Sequence, residues 1–365
     1  MFLEEDWEGL RVLRSWLYAS PHPGFVRTLM NNTTFMVTSA LHALRQAGPL
    51  DVLVASSPPF LPHLAGAAIS RWRGMPLALE VRDLWPDYLV GMNLLRSDGL
   101  PARALFGLER RLLRGARRVI VVTDSFRRRI IRKGVEPERI EVISNGVDER
   151  LYFPSDDPPP VPELRRQGDE FLVGYLGNFG AGQDLLQVVE AAATLGPEAG
   201  FRFVLAGDGP DRGRVTTRLA ELGLSNLSVH PPIPKEQTRA FYNACDVCLV
   251  PLAAFPILEE TVPSKIFEIM ACERPVLGCL AGEAAAIIER SGGGVVTPPG
   301  QPLALAQALR GLRAIAPDGR QAMGRRGRDY VTRHYRRDDL AARYLDLLQR
   351  TVAEARASGQ TPGGT

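Results

Sequence analysis

Short, almost wholly apolar runs alternate with helix-length segments throughout this chain of 365 residues. Three of the clearest runs are Phe171–Leu176, Phe201–Ala206 and Val247–Pro251, and each is followed by a segment long enough for a helix. A strand without polar residues at alternate positions has to be covered on both faces, which is typical of parallel sheets flanked by helices. The pattern therefore predicts an α/β fold made of doubly wound parallel sheets.

The same alternation predicts further elements in both halves of the chain. The other predicted strands are 10–17, 51–55, 76–81, 118–123, 139–143, 227–230, 275–278 and 294–296. The main predicted helices are 25–46, 61–73, 102–117, 124–133, 184–195, 211–222, 235–244 and 264–271.

A polar, proline-rich segment at 156–162 separates the two halves and is predicted to be a stiff linker. A chain of this length is too long for one ordinary core and suits two domains of roughly 150–200 residues each. We predict a Rossmann-like domain at 1–154 and a second domain at 155–335. A helix at 336–356 is expected to cross back to the first domain, and 357–365 to form a disordered tail.

Cysteine and hydropathy patterns indicate a cytoplasmic protein. All four cysteines lie in the second half, so no disulfide framework is indicated. Cys245 and Cys248 have the spacing of a redox motif, but they lead into an apolar run and are interpreted as buried structural thiols. No signal peptide is recognised, and no apolar run reaches the ~18 residues that a membrane span needs. The five histidines show no metal-binding spacing, so no metal is expected.

Positive charge is concentrated in one segment, although the net charge is only +3. Residues 94–133 contain twelve arginines and lysines but only three acidic residues. Such a segment suits an anionic partner, whether membrane surface, lipid diphosphate or nucleic acid, but a solvated helix face would look the same. Only three of the 44 basic residues are lysines, Lys133, Lys235 and Lys265, so a lysine here is expected to mark a place that needs a compact ammonium.

Two glycine-rich turns follow predicted strands in the second half. Their residues are Gly177, Asn178 and Gly180 in the first turn and Gly207, Asp208 and Gly209 in the second. Glycines let backbone N–H groups approach an anion, and ligands of open parallel sheets bind at the carboxyl ends of the strands. Each turn alone could be an ordinary connection, but together they predict one ligand-binding crevice.

A third motif, Pro-Ser-Lys-Ile-Phe-Glu at 263–268, lies at the start of a predicted helix. Pro263 suits the first turn of a helix, whose free N–H groups would face a diphosphate together with the Lys265 ammonium. Glu268 lies one turn further along, on the side of Ser264 and Lys265, where a carboxylate can accept hydrogen bonds from ribose hydroxyls. The alternative is an ordinary capped helix with surface charges.

These motifs resemble those of the retaining glycosyltransferases of family 4, also called group 1, which have the GT-B fold. The resemblance rests on the 263–271 stretch, on Leu-Glu-Val-Arg-Asp-Leu-Trp-Pro at 79–86, on Ser-Ser-Pro-Pro at 56–59 and on 14–21. It covers about residues 8–350 and looks like the bacterial colanic-acid and O-antigen branch. It implies two doubly wound Rossmann-like domains facing across a cleft, the first binding the acceptor and the second the donor.

The resemblance implies a donor site in the second domain. Glu268 would bind the ribose of a nucleotide sugar, while Ser264 and Lys265 would bind its diphosphate. Gly177 and its loop would lie against the donor phosphates. Lys265 is therefore also a catalytic candidate, since it would neutralise the departing diphosphate.

Further roles are implied for the base, the sugar and the acceptor. Ile233 and Pro234 would lie near the base, and Glu260 has the spacing of the family's first glutamate, which normally contacts the sugar. Arg82 and Asp83 stand where many relatives have a histidine. Asp83 would orient or deprotonate the acceptor hydroxyl, with Arg82 pairing with it or with phosphate. A purely structural ion pair between these two residues is the alternative.

The resemblance also implies the partners and the reaction. The donor would be a UDP- or GDP-linked sugar, with no separate cofactor, and the acceptor a saccharide or a polyprenyl-diphosphate-linked sugar. Transfer would proceed by front-face attack, without a covalent enzyme intermediate. The basic segment 94–133 and the amphipathic segment 25–44 suggest peripheral association with the anionic inner face of the cell membrane. No nucleic acid partner is expected.

The beginning of the chain departs from the family pattern. Its first residues resemble a point well inside a family member, so the first strand and glycine loop of the N-terminal domain are expected to be missing from this sequence. Two other function classes stay open: a nucleotide-sugar epimerase, which uses a similar fold, and a truncated nucleotide-binding protein without activity, which the missing loop favours. A nicotinamide-dependent oxidoreductase is disfavoured because no complete dinucleotide fingerprint is present.

Overall fold

The computed structural model describes residues 3–19, 25–46, 48–155, 161–164 and 168–359. Most of the predicted linker, 156–160, and the end of the predicted tail, 360–365, lie outside the described residues. The chain divides into two compact units, Met1–Ile143 with Ala341–Thr365, and Ser144–Leu340. Each unit is built on its own parallel sheet.

The first unit begins with a two-stranded antiparallel ribbon. Its strands, β1 (Leu3–Trp7) and β2 (Leu10–Arg14), are joined by a two-residue turn in which Glu8 and Gly9 both have positive φ, of 52° and 81°. That turn geometry matches the twist of a tight hairpin. The predicted strand 10–17 was therefore wrong as part of a parallel sheet. Its charged residues form two exposed arginine–glutamate ion pairs across the ribbon instead of a buried strand.

A four-stranded parallel sheet forms the body of the first unit. Its strands are β3 (Leu53–Ser57), β4 (Leu77–Val81), β5 (Arg118–Val121) and β6 (Ile140–Val142), side by side in chain order. The helices before β6 are α1 (Phe25–Gln46), α2 (Leu61–Arg73), α3 (Trp85–Gly91), α4 (Leu100–Gly115) and α5 (Asp124–Arg132). The predicted helices 25–46 and 61–73 have the bounds of α1 and α2. The short α3 was missed because its seven residues bury only Pro86.

The long helix α1 is only shallowly packed. It contacts α2 and β2, yet His42 is the only one of its described side chains that is buried. Four apolar side chains, Leu29, Met30, Val37 and Leu41, are each more than 40% exposed. Among the described helices, α1 included, none has both the length and the apolar character needed to cross a membrane.

A buried ion cluster ties together α3, α4 and the end of α5. The Lys133 ammonium donates to Asp87 Oδ2 and to Glu109 Oε2, at 2.5 Å each, and Arg129 donates to Asp87 Oδ1 at 3.0 Å. The side chains of Lys133, Asp87 and Glu109 are only 6–11% exposed. One compact ammonium thus serves two carboxylates, a task for which lysine is better suited than arginine.

A six-stranded parallel sheet forms the second unit. Its strands are β7 (Phe171–Leu176), β8 (Phe201–Ala206), β9 (Leu227–His230), β10 (Val247–Pro251), β11 (Val276–Cys279) and β12 (Gly294–Thr297). They lie in the order β12-β11-β10-β7-β8-β9. The first four of these strands have the bounds that the apolar runs predicted. The centres of β7, β8 and β10 are nearly inaccessible to solvent, with Val173, Phe203 and Val247 fully buried, whereas the edge strand β9 is only partly buried.

Helices cover both faces of this second sheet, as in a doubly wound fold. They are α6 (Leu186–Leu195), α7 (Arg212–Glu221), α8 (Thr238–Ala244), α9 (Lys265–Ala271), α10 (Gly282–Ser291), α11 (Pro302–Ala314) and α12 (Pro317–His334). A last helix, α13 (Arg337–Ala357), begins in this unit, and its residues from Ala341 onward group with the first unit. The expectation of two parallel-sheet, Rossmann-like α/β domains is confirmed.

Replacing Lys133 with methionine should destabilise the first unit, because two buried carboxylates would lose their shared cation. The expected loss is about 3–5 kcal/mol, typical of removing one partner from a buried ion pair. Urea unfolding followed by circular dichroism measures it as a lower midpoint. Arg132→Met, an exposed neighbour on α5, is the matched control. Equal midpoints for the two variants would contradict a stabilising role for the cluster.

Candidate functional site

The strand order of the second unit reverses between β7 and β10. From β7 the chain moves outward through β8 to β9, then crosses to β10 and moves the other way through β11 to β12. Loops that leave the carboxyl ends of such neighbouring strands diverge and open a crevice, where open α/β sheets bind their ligands. The loop after β7 contains Gly177, and the connection after β10 leads to Lys265 at the start of α9. Two of the three predicted motifs therefore lie at the reversal.

The two glycine turns lie directly against each other. Gly177 and Gly207 both have φ of +151°, and a methyl group on Gly207 would lie 1.8 Å from the carbonyl oxygen of Gly177. Gly209 has φ of +153°, and a methyl group there would lie 2.5 Å from the carbonyl oxygen of Phe179. Glycine is needed at these positions both for the backbone conformation and for the close approach of the turns.

Backbone hydrogen bonds hold the two turns in place. The Gly177 N–H donates to Ala206 O at 3.0 Å, and the Phe179 N–H donates to Asp208 O at 2.8 Å. In the first turn the backbone carbonyl oxygen of the exposed Asn178 accepts a hydrogen bond from the Tyr175 hydroxyl, at 2.6 Å. Gly180, the last glycine predicted for this turn, is buried, whereas the side chain of Asp208 is exposed.

The Lys265 ammonium reaches the first glycine turn. It donates to Leu176 O at 3.0 Å and lies 4.3 Å from the centre of the Tyr175 ring. A methyl group on Gly177 would lie 2.5 Å from Lys265 Nζ. Burial lowers the pKa of Lys265 to about 8, and the charge of Glu268 opposes this shift. Because neither the carbonyl nor the ring carries a negative charge, the cation suits an anionic ligand at this turn.

Glu268 lies on α9 one helical turn after Lys265, as the sequence predicted. The Tyr242 hydroxyl donates to Glu268 Oε2 at 3.2 Å. Burial, and secondly the charge of Glu268, raise the pKa values of both Tyr242 and Tyr152, whose rings lie 6.4 Å apart. The two tyrosines therefore stay protonated and fix the carboxylate. Sequence reasoning missed them, because they are far from Glu268 along the chain.

The start of α9 differs from the prediction at Pro263. The helix begins at Lys265 with Ser264 as its N-cap residue, so Pro263 lies before the helix and not in its first turn. The Pro263 carbonyl oxygen accepts a hydrogen bond from the Ile266 N–H at 3.1 Å, which closes a tight turn ahead of the helix. The Ser264 side chain is exposed and makes no capping hydrogen bond, so its hydroxyl faces solvent at the same end of α9 as Lys265.

The remaining predicted donor residues lie in the segment before α9 and in the loop after β9. Glu260 is half-buried and ends a 3-10 turn, Pro256–Glu260, which precedes α9. The half-buried Ile233 and the exposed Pro234 follow β9, the edge strand on the far side of β8. They lie at the carboxyl end of the sheet, two strands away from the reversal.

In the first unit, Arg82 and Asp83 directly follow β4. Arg82 is exposed and Asp83 is half-buried. Burial raises the pKa of the Asp83 carboxyl, and the Arg82 guanidinium opposes this shift. Burial, and secondly the charge of Asp83, raise the pKa of the Tyr88 hydroxyl on α3. A carboxyl whose pKa is raised is better matched to proton transfer near neutral pH than an ordinary aspartate.

A hydrogen bond between Ser56 and Glu80 in the first unit was not predicted from the sequence. Ser56 and Glu80 are register partners on β3 and β4, and Ser56 Oγ donates to Glu80 Oε2. Burial, followed by the charge of Glu80, raises the pKa of Tyr344, while Arg82 opposes the shift. Ser56 and Glu80 both belong to the quoted motifs, but only the register of the sheet shows that they meet.

The cysteines belong to the core of the second unit. Cys245 and Cys248 are buried free thiols, which confirms their structural interpretation. Burial raises the pKa of Cys248 well above its usual value, so this thiol is unreactive. Within the described parts of the chain, no group of three or more His, Cys, Asp or Glu side chains is placed to hold a metal ion.

Two family models match the chain. A model described as a glycosyl transferase 4-like domain matches residues 2–146, and a model described as glycosyl transferases group 1 matches residues 170–314. The second match contains both glycine turns and the whole of α9.

Curated proteins with similar sequences are named as glycosyltransferases. The chain is 27% identical to a probable glycosyltransferase, WbjE, of Pseudomonas aeruginosa, over 71% of this chain. It is 26% identical to D-inositol 3-phosphate glycosyltransferase 1 of Catenulispora acidiphila over 74% of this chain. It is also 26% identical to a putative colanic acid biosynthesis glycosyl transferase, WcaI, of Escherichia coli strain K12, over 71%. Each alignment covers 65% of the relative's length.

Solved structures share the fold at low sequence identity. A sucrose-phosphate synthase from Thermosynechococcus elongatus superposes with a TM-score of 0.76 and 20% identity, covering 97% of this chain and 86% of that chain. Anabaena Alr3699/HepE in complex with UDP and glucose superposes with a TM-score of 0.69 and 19% identity, covering 90% and 84%. The chain therefore joins a glycosyl transferase 4-like domain to a group 1 glycosyltransferase domain, and its fold is that of the GT-B glycosyltransferases.

Proposed function

We propose that the chain is a retaining glycosyltransferase that moves a sugar from a UDP- or GDP-linked donor to a saccharide acceptor. One observation carries the proposal: Gly177, Lys265 and Glu268 converge where the strand order of the second unit reverses. A cation, a close-packed backbone turn and a carboxylate are the three groups that a nucleoside diphosphate needs for its phosphates and its ribose.

In the proposed complex, the donor lies along the first turn of α9. Lys265 and the Ser264 hydroxyl bind the diphosphate, whose oxygens lie against the backbone of Gly177. Glu268 accepts hydrogen bonds from the ribose hydroxyls through the carboxylate that Tyr242 holds. The second glycine turn supports the first, and Ile233 and Pro234 lie towards the base.

Transfer then requires a single exchange at the anomeric carbon. The bond from this carbon to the diphosphate oxygen breaks, and the acceptor hydroxyl forms the new bond on the same face of the sugar. The departing diphosphate oxygen takes the hydroxyl proton. Lys265 stabilises the negative charge that develops on the diphosphate. Asp83 orients the acceptor hydroxyl, with Arg82 balancing its charge, and Glu260 contacts the sugar.

The acceptor is proposed to be a lipid-linked saccharide at the cytoplasmic face of the cell membrane, in the synthesis of a surface polysaccharide. Three features support this choice: the similarity to WcaI, the basic segment 94–133 and the exposed apolar face of α1. The similarity to a D-inositol 3-phosphate glycosyltransferase makes a soluble sugar phosphate the main competing acceptor.

Replacing Glu268 with glutamine or Lys265 with methionine should each lower transfer by at least about 100-fold, because each removes a charged contact in a preorganised site. Glu259→Gln, an exposed carboxylate beside Glu260, is the matched control and should keep its activity. Release of UDP or GDP from sugar donors, measured with and without a panel of acceptors, reports the rates.

The outcome separates the proposed activity from its rivals. Epimerisation of the donor without any acceptor would identify an epimerase, and nucleotide binding without turnover would identify a non-catalytic protein. Wild-type rates in both Glu268→Gln and Lys265→Met would contradict the assigned site, whichever reaction the chain performs.

The affinity for a nucleoside diphosphate should fall as the pH rises through about 8, the pKa of Lys265 in the free protein. Only the protonated amine attracts the phosphate anion, so each pH unit above this pKa should weaken binding, by up to tenfold. Calorimetric titration of UDP and GDP between about pH 7 and about pH 9.5 measures the effect. Lys265→Met should bind weakly and show no decline across this range, and a decline of the same size in that variant would refute the assignment.

Tyr242→Phe should raise the donor KM about fivefold and change kcat much less. The lost hydrogen bond to Glu268 is worth about 1 kcal/mol, and it orients a group that holds the ribose equally in the ground state and the transition state. Steady-state kinetics at varied donor concentration separate the two constants. An unchanged KM would mean that the tyrosine does not position Glu268.

A further inference from the structure

A cavity of about 440 Å³ lies at the amino end of the parallel sheet of the first unit. Its walls include Leu77 and Arg118, the first residues of β4 and β5, and Arg139, which directly precedes β6. We call it the amino-end cavity. Asp83 follows the carboxyl end of β4, so the cavity and the proposed acceptor residues lie at opposite ends of this sheet. A cavity of this volume can hold a small molecule.

Positive charge exceeds negative charge in the described walls of this cavity. Three arginines, Arg117, Arg118 and Arg139, line it together with one carboxylate, Glu354 of α13. Glu354 accepts a hydrogen bond from Arg118 Nη2 and lies 3.8 Å from Arg117 Nε. Arg139 donates to two backbone carbonyl oxygens and, at 2.8 Å, to the exposed Glu136. Even when Glu136 is counted, three cations face two carboxylates.

One donor of Arg118 is buried without an acceptor. The side chain is only 13% exposed, and its two terminal nitrogens donate to Glu138 O, at 2.9 Å, and to Glu354. Its Nε is fully buried and has no hydrogen-bond partner among the residues that the structure describes. Leaving a buried donor unsatisfied costs free energy. Because the residue lines a positively charged cavity, an anion is the acceptor that would best satisfy it.

The amino-end cavity adjoins space for more than an inorganic anion. It shares lining residues with a larger groove of about 790 Å³ between α2 and α4. The shared residues are Ser70, Met75, Leu77 and Gly115. Beyond them the groove is lined by the apolar Leu108 and Leu112 of α4. A ligand whose anionic group contacts the arginines would therefore have an apolar surface beside it for its organic part.

We propose that the amino-end cavity binds a small organic molecule with a phosphate group, through Arg117, Arg118 and Arg139. Guanidinium groups present paired N–H donors that match the oxygens of a phosphate. A phosphate monoester carries about −1.5 to −2 charges near neutral pH, so it neutralises the surplus charge more fully than a carboxylate does. None of these arginines belongs to the proposed donor or acceptor residues, so the ligand is an effector and not a substrate of the proposed transfer.

Calorimetric titration of the full chain with phenyl phosphate and with inorganic phosphate, at constant ionic strength, tests the proposal. Phosphate could also bind at the proposed donor site, so each titration is repeated with Lys265→Met, in which binding at the cavity should persist. Phenyl phosphate should bind about tenfold more tightly than inorganic phosphate, because its ring buries apolar surface in the groove.

Substitutions in the cavity should change the affinity in opposite directions. Arg118→Gln and Arg139→Gln should each weaken the binding of phenyl phosphate by at least about tenfold, as expected for the loss of a charge-assisted hydrogen bond. Glu354→Gln should strengthen binding, because it removes the carboxylate that competes for Arg118. The matched control is Arg103→Gln, an exposed arginine of α4, which should bind as the wild type does.

Several results would overturn the proposal. They are an absence of binding in Lys265→Met, equal affinities of Arg139→Gln and Arg103→Gln, weaker binding in Glu354→Gln, and inorganic phosphate binding as tightly as phenyl phosphate. If Arg118→Gln does not fold, Arg117→Gln, whose side chain is 32% exposed, takes its place and should also weaken binding. The affinities of the cavity variants for UDP and GDP should be unchanged, so a failure of this proposal is distinguishable from a failure of the proposed donor site.

Discussion

The close backbone contact between the turns at Gly177 and Gly207 is the constraint on which the candidate site depends. The carbonyl oxygen of Gly177 occupies the space where any side chain at position 207 would begin. This contact brings the loops after β7 and β8 together, beside the point where the strand order reverses. The absence of a side chain at Gly177 also leaves room for the Lys265 ammonium, because a methyl group there would lie 2.5 Å from Lys265 Nζ. The candidate anion site thus depends on the absence of side chains at Gly177 and Gly207 as well as on the Lys265 ammonium.

The charges around this contact are arranged before any ligand binds. Lys265 is held between a carbonyl oxygen and the Tyr175 ring, and Glu268 is held one turn away by Tyr242. Burial lowers the pKa of Lys265 to about 8 because its direct contacts are neutral and the nearby charge of Glu268 only partly offsets the cost of burying a cation. A bound diphosphate would remove that cost, and this coupling is the physical basis of the donor preference that we propose.

The sequence predicted some parts of the fold to the residue and missed others for physical reasons. Strands β7, β8 and β10 were found because a buried strand covered on both faces is almost wholly apolar, which leaves a local signal. The pairing of β2 with β1 was not predicted, because the residues of a strand do not show which strand it will pair with. For the same reason Tyr242 and Tyr152 were missed, since only the fold brings them to Glu268. The rarity of lysine was informative: Lys133 and Lys265 each lie where one compact cation serves several neighbours.

The binding of UDP and GDP to the chain with Gly207 replaced by alanine tests the importance of the contact between the two glycine turns most directly. The substitution adds one methyl group, which would lie 1.8 Å from Gly177 O, and it changes no charge. Calorimetry should detect binding of one of the nucleotides to the wild type. Binding to the folded variant should be at least about 100-fold weaker, because displaced turns no longer align Lys265 with the phosphates. A folded variant that binds the nucleotide as tightly as the wild type would contradict the central role of this contact.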